Sequence, residues 1–377
     1  MADSKSIVND PLRVGFVGVG DISGIYLKNL TQRFRDIEVR AVCDLIPERS
    51  QKAAETWGVP VVHARDEDVF ADPEIELVLN LTRPYEHYEV TRRALEAGKW
   101  VYSEKPLGVN FAEGKALFDL AAARGLGLGG APDTFMGAGI QTVRRLIDDG
   151  YIGEVVGARC SMMCRGHESW HPDPAFYYQR GGGPMLDMGP YYVTALMNLL
   201  GGVKTVTARA KRSFARRLIT SRPLSGTVID VEVFTDLHAI LEFDSGALAT
   251  LTTTFDTVWN EQAGFHVFGS EGTIMVPDPN TFGGPVRILR RGQNEWYDVP
   301  LLFDYAENSR GLGLADMAAA LRSGRPWRAN GEQILHALDI MTSIEESAAE
   351  VRTVTLRTHW ERGLPMRRAV LDGVLER

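Results

Sequence analysis

Cysteine is scarce in this chain: Cys43, Cys160 and Cys164 are an odd set with no CxxC pair. That excludes a disulfide scaffold and a paired-thiolate zinc framework, and no metal is expected. Reduced thiols fit a cytosol-like compartment, so a soluble cytoplasmic protein is expected. Long hydrophobic runs are also missing. No apolar stretch approaches the ~20 residues that cross a bilayer, and Met1 to Leu12 lacks the core of a secretory signal, so no membrane partner is expected. An excess of positive charge is absent too. With 41 Lys and Arg against 49 Asp and Glu, the formal net charge is −8, which argues against nucleic acid as a partner. No internal repeat or low-complexity segment occurs.

What is present belongs to a globular protein, with 44% hydrophobic and 24% charged residues. At 377 residues the chain exceeds the usual single-domain size. In the N-terminal third, strand-like runs alternate with helical spacing. Arg13–Val17, Val39–Cys43, Leu77–Asn80 and Trp100–Ser103 read as strands. Amphipathic segments end near Phe34, Trp57, Ala97 and Ala123, with Pro47 opening one helix and Gly98 closing another. Such alternation predicts parallel βαβ units and a doubly wound sheet.

After about Gly130 the character changes. Ala138–Asp149 reads as a helix. Val155–Cys164, Thr205–Phe214, Val228–Phe243, Ala247–Phe255, Phe265–Gly269, Thr273–Val276, Val286–Leu289 and Trp296–Val299 read as strands. Short turns such as Asp244-Ser-Gly246 join them, which predicts a mostly antiparallel sheet. Leu312–Leu321 and Gln333–Ala349 read as late helices. The expected organisation is an α/β Rossmann domain at 1–130 followed by an α+β domain at 131–377. The second would carry a large open sheet, with the C-terminal tail packing across the boundary.

Three motifs carry chemistry. Gly18-x-Gly20-x-x-Ser23 follows a strand and opens a helix. Its glycines permit a tight turn and close approach to a pyrophosphate, with Asp21 and Ile22 leading into free helix N–H groups. Asp44 ends the second strand at the offset where a carboxylate meets the adenosine ribose. It favours NAD, while Arg49 keeps NADP open as the second option. Thr82 and Pro84 follow the third strand-like run of this region, at the carboxyl edge where ligands lie, and border the expected nicotinamide ribose. His87 suits a cofactor contact or a helix-start residue equally. Glu104-Lys105-Pro106 ends the strand from Trp100, an unusual place for a lysine unless a ligand reaches it. The third motif is Gly181-Gly-Gly-Pro-Met-Leu-Asp187-Met-Gly-Pro-Tyr191, entering an apolar helix from Leu186 to Leu200. A spacing of four puts Asp187 and Tyr191 on one helical face.

Together these motifs closely resemble the Gfo/Idh/MocA oxidoreductases across almost the whole chain. The resemblance implies a Rossmann domain, a C-terminal sheet that pairs subunits into homodimers or homotetramers, and a catalytic acid/base at Lys105. It carries the motif aspartate over to Asp187. Many members have a histidine base four residues later; this chain has Tyr191, as some members do.

The implied reaction passes a hydride between a secondary hydroxyl of a sugar, sugar derivative or cyclitol and the nicotinamide. Lys105, Asp187 and Tyr191 would surround the hydroxyl; desolvation and the positive nicotinamide would favour a neutral Lys105 amine, a shift Asp187 would oppose. An NAD-dependent glycosidase with transient oxidation is the alternative, and a non-catalytic sensor a third. The loop His167-Glu-Ser-Trp170-His171-Pro-Asp173 is a candidate sugar-binding segment, with Trp170 to stack and His171 and Asp173 to hydrogen-bond. His171 is also a candidate proton acceptor. Phe135, in Asp133-Thr134-Phe135, is a candidate cleft wall. His336 is expected to be structural, and the cluster Arg209, Lys211, Arg212, Arg216 and Arg217 a solvated surface.

Overall fold

The structure is a computed structural model describing residues 10–258, 264–368 and 372–376. Six strands form the first sheet: β1 (Leu12–Val17), β2 (Ile37–Cys43), β3 (Val61–Val62), β4 (Leu77–Asn80), β5 (Trp100–Ser103) and β6 (Leu128–Gly130). All pair in parallel, in the order β3-β2-β1-β4-β5-β6. The connecting helices are α1 (Ser23–Gln32), α2 (Pro47–Trp57), α3 (Asp66–Ala71), α4 (His87–Glu96) and α5 (Phe111–Arg124). Strands β4 and β5 are almost wholly buried, as a parallel sheet covered on both faces requires. Strand order reverses between β1 and β4, which opens a crevice at their carboxyl ends.

Chain punctuation matches the residue chemistry. Pro47 sits in the first turn of α2, and Gly58 ends it in the left-handed conformation. Asn110 caps α5 by accepting from the Glu113 amide, while Glu113 accepts in return from Val109 N at 2.9 Å.

Helix α6 (Ala138–Asp148) leads into the second sheet. Its strands are β7 (Val155–Met163), β8 (Val203–Lys211), β11 (Asp236–Phe243), β12 (Leu248–Thr254), β13 (Phe265–Gly269), β14 (Gly272–Val276), β15 (Val286–Arg290), β16 (Tyr297–Val299) and β17 (Val354–Thr355). The order is β16-β15-β14-β13-β7-β12-β11-β8-β17, antiparallel except where β7 meets β12. Two short strands, β9 (Arg216–Leu218) and β10 (Val228–Asp230), pair apart from it. Helices α7 (Gly183–Asp187), α8 (Gly189–Leu200), α9 (Leu312–Ser323) and α10 (Gly331–Glu350) complete the chain. Helix α10 packs on β8 and α8, and also on α5 and β6, so the C-terminal helices tie the two sheets together. Among the described residues no helix is long and apolar enough to cross a membrane.

Two expected elements are broken. The run Val228–Phe243 divides into β10 and β11 because its middle bonds elsewhere: Glu232 N donates to Tyr178 O and Val231 N to Ala215 O. The helix expected over Leu186–Leu200 breaks at Met188, since Pro190 has no N–H for the Leu186 carbonyl. The short strands β3, β6, β9 and β17 were not expected from the sequence. At two or three residues each they are too short for a period to register.

Candidate active site

At the crevice, Gly18 follows β1 with φ +95°, a conformation that suits glycine, and its amide donates to Cys43 O at 2.9 Å. A Cβ there would lie 2.7 Å from the Leu81 carbonyl, so the turns after β1 and β4 pack without room for a side chain. A Cβ on Gly20 would meet nothing within 4 Å. The first glycine thus answers to the protein, and the second faces open space. Helix α1 has no side-chain cap, leaving its first amides for an anion. Ser23, which departs from the glycine pattern, donates its hydroxyl to Gly20 O at 2.6 Å and closes the turn. Asp21 is exposed and Ile22 half-buried beside it. Asp44 accepts from Val19 N at 2.6 Å and Ile46 N at 2.9 Å, which fixes its carboxylate at the end of β2.

After β4, Thr82 donates to Asn80 Oδ1 at 2.7 Å, and Pro84 is half-buried in the same turn. His87 is buried, with Nδ1 2.7 Å from Pro106 O and Nε2 3.0 Å from Thr82 O. Its ring therefore ties the Thr82 turn to the Lys105-Pro106 corner. Burial lowers its pKa, partly offset by those carbonyls and Glu104. Glu104 is buried as well. It accepts from Tyr26 Oη at 2.7 Å and from Lys105 N at 3.0 Å, and so anchors the motif on α1.

Lys105 reaches across to the second domain. Its Nζ donates to Asp187 O at 2.6 Å and to Asp187 Oδ1 at 2.9 Å. The Tyr191 ring centroid lies 5.2 Å from the same nitrogen. Asp187 and Tyr191 thus meet at Lys105, though they belong to different helices and share no helical face. The expectation of a neutral Lys105 is corrected. Burial lowers its pKa, but the opposing charge of Asp187, with Tyr191 and Glu104, outweighs that and holds it above its ordinary value as an ammonium. Burial would raise the Asp187 carboxyl, but Lys105 and His167 draw it down to about 2.

The loop from His167 approaches this pair. His167, not His171, contacts Asp187, with Nε2 3.4 Å from Oδ2. His171 instead accepts from Asp173 N through Nδ1 at 3.0 Å. Asp173 pairs with Arg83 of the β4 turn at 3.6 Å, which connects the loop to the nucleotide-binding half. Trp170 is 60% exposed, with one edge against His167 and His171. Phe135 is buried at 3% in the core, so its ring offers the cleft little surface. Asp133 beside it accepts from Gly311 N and Gly313 N and is pushed up to about 6 by burial. His336 accepts from Val203 N at 3.1 Å and holds β8 to α10. Among the described residues no His, Cys, Asp and Glu group has the arrangement of a metal site. The reading of the basic cluster as solvated is corrected at Arg217. Its side chain is 10% exposed and pairs with Glu168 and Asp256, bracing the base of the loop.

Arg310 was not anticipated. It precedes α9, bonds Asn280 and Asn308, and places its guanidinium carbon 5.8 Å from the Tyr191 centroid. Burial would lower its pKa, but Tyr191 and Asp133 more than restore its charge. The only sequence signal was its place before Gly311-Leu-Gly313. Tyr191 therefore has a cation on two sides. Arg310→Gln is expected to reduce kcat about tenfold on any substrate that is turned over, as loss of a charge beside the candidate site residue Tyr191 would. Steady-state kinetics check this, and an unchanged kcat would remove Arg310 from the site.

The comparisons with known proteins agree with this geometry. A profile described as "Oxidoreductase family, NAD-binding Rossmann fold" matches residues 12–129, and one described as "GFO/IDH/MocA C-terminal domain" matches residues 140–275. The chain belongs to the Gfo/Idh/MocA oxidoreductase family. It is 33% identical over 146 residues to inositol 2-dehydrogenase/D-chiro-inositol 3-dehydrogenase of Lactiplantibacillus plantarum, covering 38% of this chain and 41% of that one. It is 28% identical over 270 residues to D-glucoside 3-dehydrogenase of Escherichia coli, covering 69% and 74%. The first of these matches therefore spans less than half of that relative. A levoglucosan dehydrogenase solved with NADH superposes with TM-score 0.80 at 19% identity, over 93% of this chain and 100% of the other. An NAD binding oxidoreductase from Klebsiella pneumoniae gives 0.79 at 20% identity, over 92% and 99%. These two establish the fold. As in the rest of the Gfo/Idh/MocA family, the N-terminal domain is the NAD-binding one. The open space at Gly20, the uncapped start of α1 and the oriented Asp44 fit that cofactor.

Proposed function

We propose that this Gfo/Idh/MocA member oxidises a secondary hydroxyl of a sugar, sugar derivative or cyclitol, or reduces the corresponding ketone. The observation that carries the reading is the Lys105–Asp187 pair, which joins the two domains at the carboxyl end of β5 beside the glycine turn. When bound, NAD supplies the hydride acceptor. The protein must then bind and orient the alcohol and take its hydroxyl proton.

In this reading Asp21, Ile22, Gly18, Gly20, Asp44, Thr82 and Pro84 surround the cofactor, with His87 and Glu104 holding that frame. Lys105 is the acid/base, and Asp187 and Tyr191 orient the hydroxyl. Trp170, His171 and Asp173 line the sugar side. The domain division lies at 130/131. Homodimers or homotetramers form through the outer face of the second sheet, where Ile240 is 52% and Leu248 55% exposed. A reducing, cytosol-like compartment suits its free cysteines.

The test is a panel of monosaccharides, inositols, anhydrosugars and glycosides followed by NADH and NADPH absorbance. Growth of NADH with one stereochemical set is the expected result, and silence across the panel would sink the proposal. The match over 69% of the chain to a D-glucoside 3-dehydrogenase favours one second reading, oxidation of a glycoside at C3. In a glycosidase built on transient oxidation, aglycone is released without net NADH. A sensor gives no steady turnover at all.

A further inference from the structure

His167 is 8% exposed, yet neither of its ring nitrogens has a hydrogen-bond partner among the described residues. A buried imidazole without a partner is costly unless it serves something else. The ring is held by stacking. Tyr177 lies 4.0 Å away, Phe255 4.6 Å and Trp170 5.3 Å between centroids, the last two edge-on. That cage leaves Nε2 3.4 Å from Asp187 Oδ2, an ion-pair distance without hydrogen-bond alignment, while Lys105 holds Oδ1 of the same carboxylate at 2.9 Å. One buried carboxylate thus bridges two bases.

We infer that His167 is a positioning residue that works through Asp187 and receives the proton Lys105 must give up during alcohol oxidation. The inference rests on the proposed dehydrogenase reading. An ammonium cannot accept the hydroxyl proton, and a carboxyl at about 2 cannot keep it. An imidazole is the side chain whose unperturbed pKa suits that task near neutrality. The substrate O–H bond breaks and an N–H bond forms at Lys105 Nζ, as another Nζ–H proton leaves toward Asp187. The leaving proton crosses the carboxylate and forms an N–H bond at His167 Nε2. No electrons are transferred in these steps: Lys105 stays an ammonium, the proton the substrate loses is matched by the one His167 gains, and the imidazolium later yields its proton to water. With no other acceptor claiming either nitrogen, both tautomers are open to this exchange.

The titratable groups near His167 are Asp187, the phenols of Tyr177 and Tyr178, and His171, with Glu168 next to it in the chain. Tyr178 Oη accepts from His167 N at 3.2 Å. Glu168 is committed to Arg217 and Tyr178. Among the described residues Asp187 is therefore the carboxylate within ion-pair distance of the ring.

Histidine-labelled protein without cofactor or substrate provides the first test, by NMR titration of the His167 ring, assigned through its loss in His167→Gln. Asp187→Asn is expected to change the pH response of the His167 ring resonances, since it removes the charge facing Nε2. An unchanged response overturns the coupling. The second test uses the panel compound giving most NADH. His167→Gln is expected to reduce kcat by about 10²-fold, with KM and NADH affinity kept and the acidic limb of the pH profile moved. Added imidazole is expected to restore part of the rate in His167→Ala. Wild-type kcat with an unmoved profile overturns the role. If no panel compound reacts, the dehydrogenase reading fails on its own, and the NMR titration still decides whether Asp187 is coupled to His167.

Discussion

Lys105→Met is expected to lower kcat by about 10²–10⁴-fold, the range supplied by a general acid/base, while NADH still binds. The methyl thioether fills similar space without a proton to exchange, so the loss reads out chemistry rather than cleft shape. A second consequence concerns stability. Removing one partner of a buried ion pair leaves the other uncompensated, at a cost of about 3–5 kcal/mol. The pH dependence has a definite sign. Asp187 is depressed to about 2 in the folded protein, so it contributes stability that is present above the usual carboxylate pKa of ~3.9 and lost as pH falls toward about 2. Lys105 is raised, so its contribution is full below the unfolded lysine value and disappears only in strong alkali. In the variant the Asp187 carboxyl rises. The stability gap to wild type is then widest at neutral pH and narrows on mild acidification. Urea unfolding at the two pH values, beside kcat, measures both effects. Near-wild-type kcat would remove Lys105 from the chemistry, and a pH-independent gap would refute the electrostatic account.

Gly18→Ala and Gly20→Ala are expected to part company. At Gly18 the new Cβ meets the Leu81 carbonyl carbon and oxygen at 2.7 Å and Thr82 N at 2.9 Å, in a backbone at φ +95°. Those neighbours are backbone and cannot rotate away. Conformational strain of about 1–3 kcal/mol and overpacking of a similar size both apply. The variant should therefore melt several degrees lower and also lose NADH binding. At Gly20 no atom lies within 4 Å of the new Cβ. Stability should stay within about 0.5 kcal/mol, but in the proposed cofactor placement the methyl would occupy the approach to the pyrophosphate. NADH affinity should fall about tenfold or more, equal to about 1.4 kcal/mol. Thermal melts with and without NADH separate the cases. Equal destabilisation by both, or undiminished NADH binding by Gly20→Ala, would refute the division of labour between the two glycines.

The parts of the site legible beforehand were local. Gly18, Gly20 and Asp44 sit at fixed offsets within one βαβ unit, and Lys105 stands at a strand end with proline after it. Motifs of this kind read well because the physical demand and the residues that meet it are close in the chain. Arg310 and His167 were not legible. Arg310 reaches Tyr191 across 118 intervening positions, and His167 meets Asp187 only because the loop folds back on α7. The choice between His167 and His171 could not be made from two histidines in one loop. It depended on which ring the cage of Tyr177, Phe255 and Trp170 turns inward.

Sequence alone determined the α/β start, the change to a mostly antiparallel sheet, the glycine turn for NAD and the presence of a lysine, an aspartate and a tyrosine of reactive type. Those follow from short-range periodicity, backbone sterics and residue chemistry. Tertiary structure decided the charge state of the lysine. Desolvation argues for a neutral amine, and the 2.9 Å approach of Asp187, 82 residues away, with Tyr191 and Glu104 beside it, outweighs that burial. A pKa depends on opposing terms that vary steeply with distance, and distances between remote residues are fixed only by the packed fold.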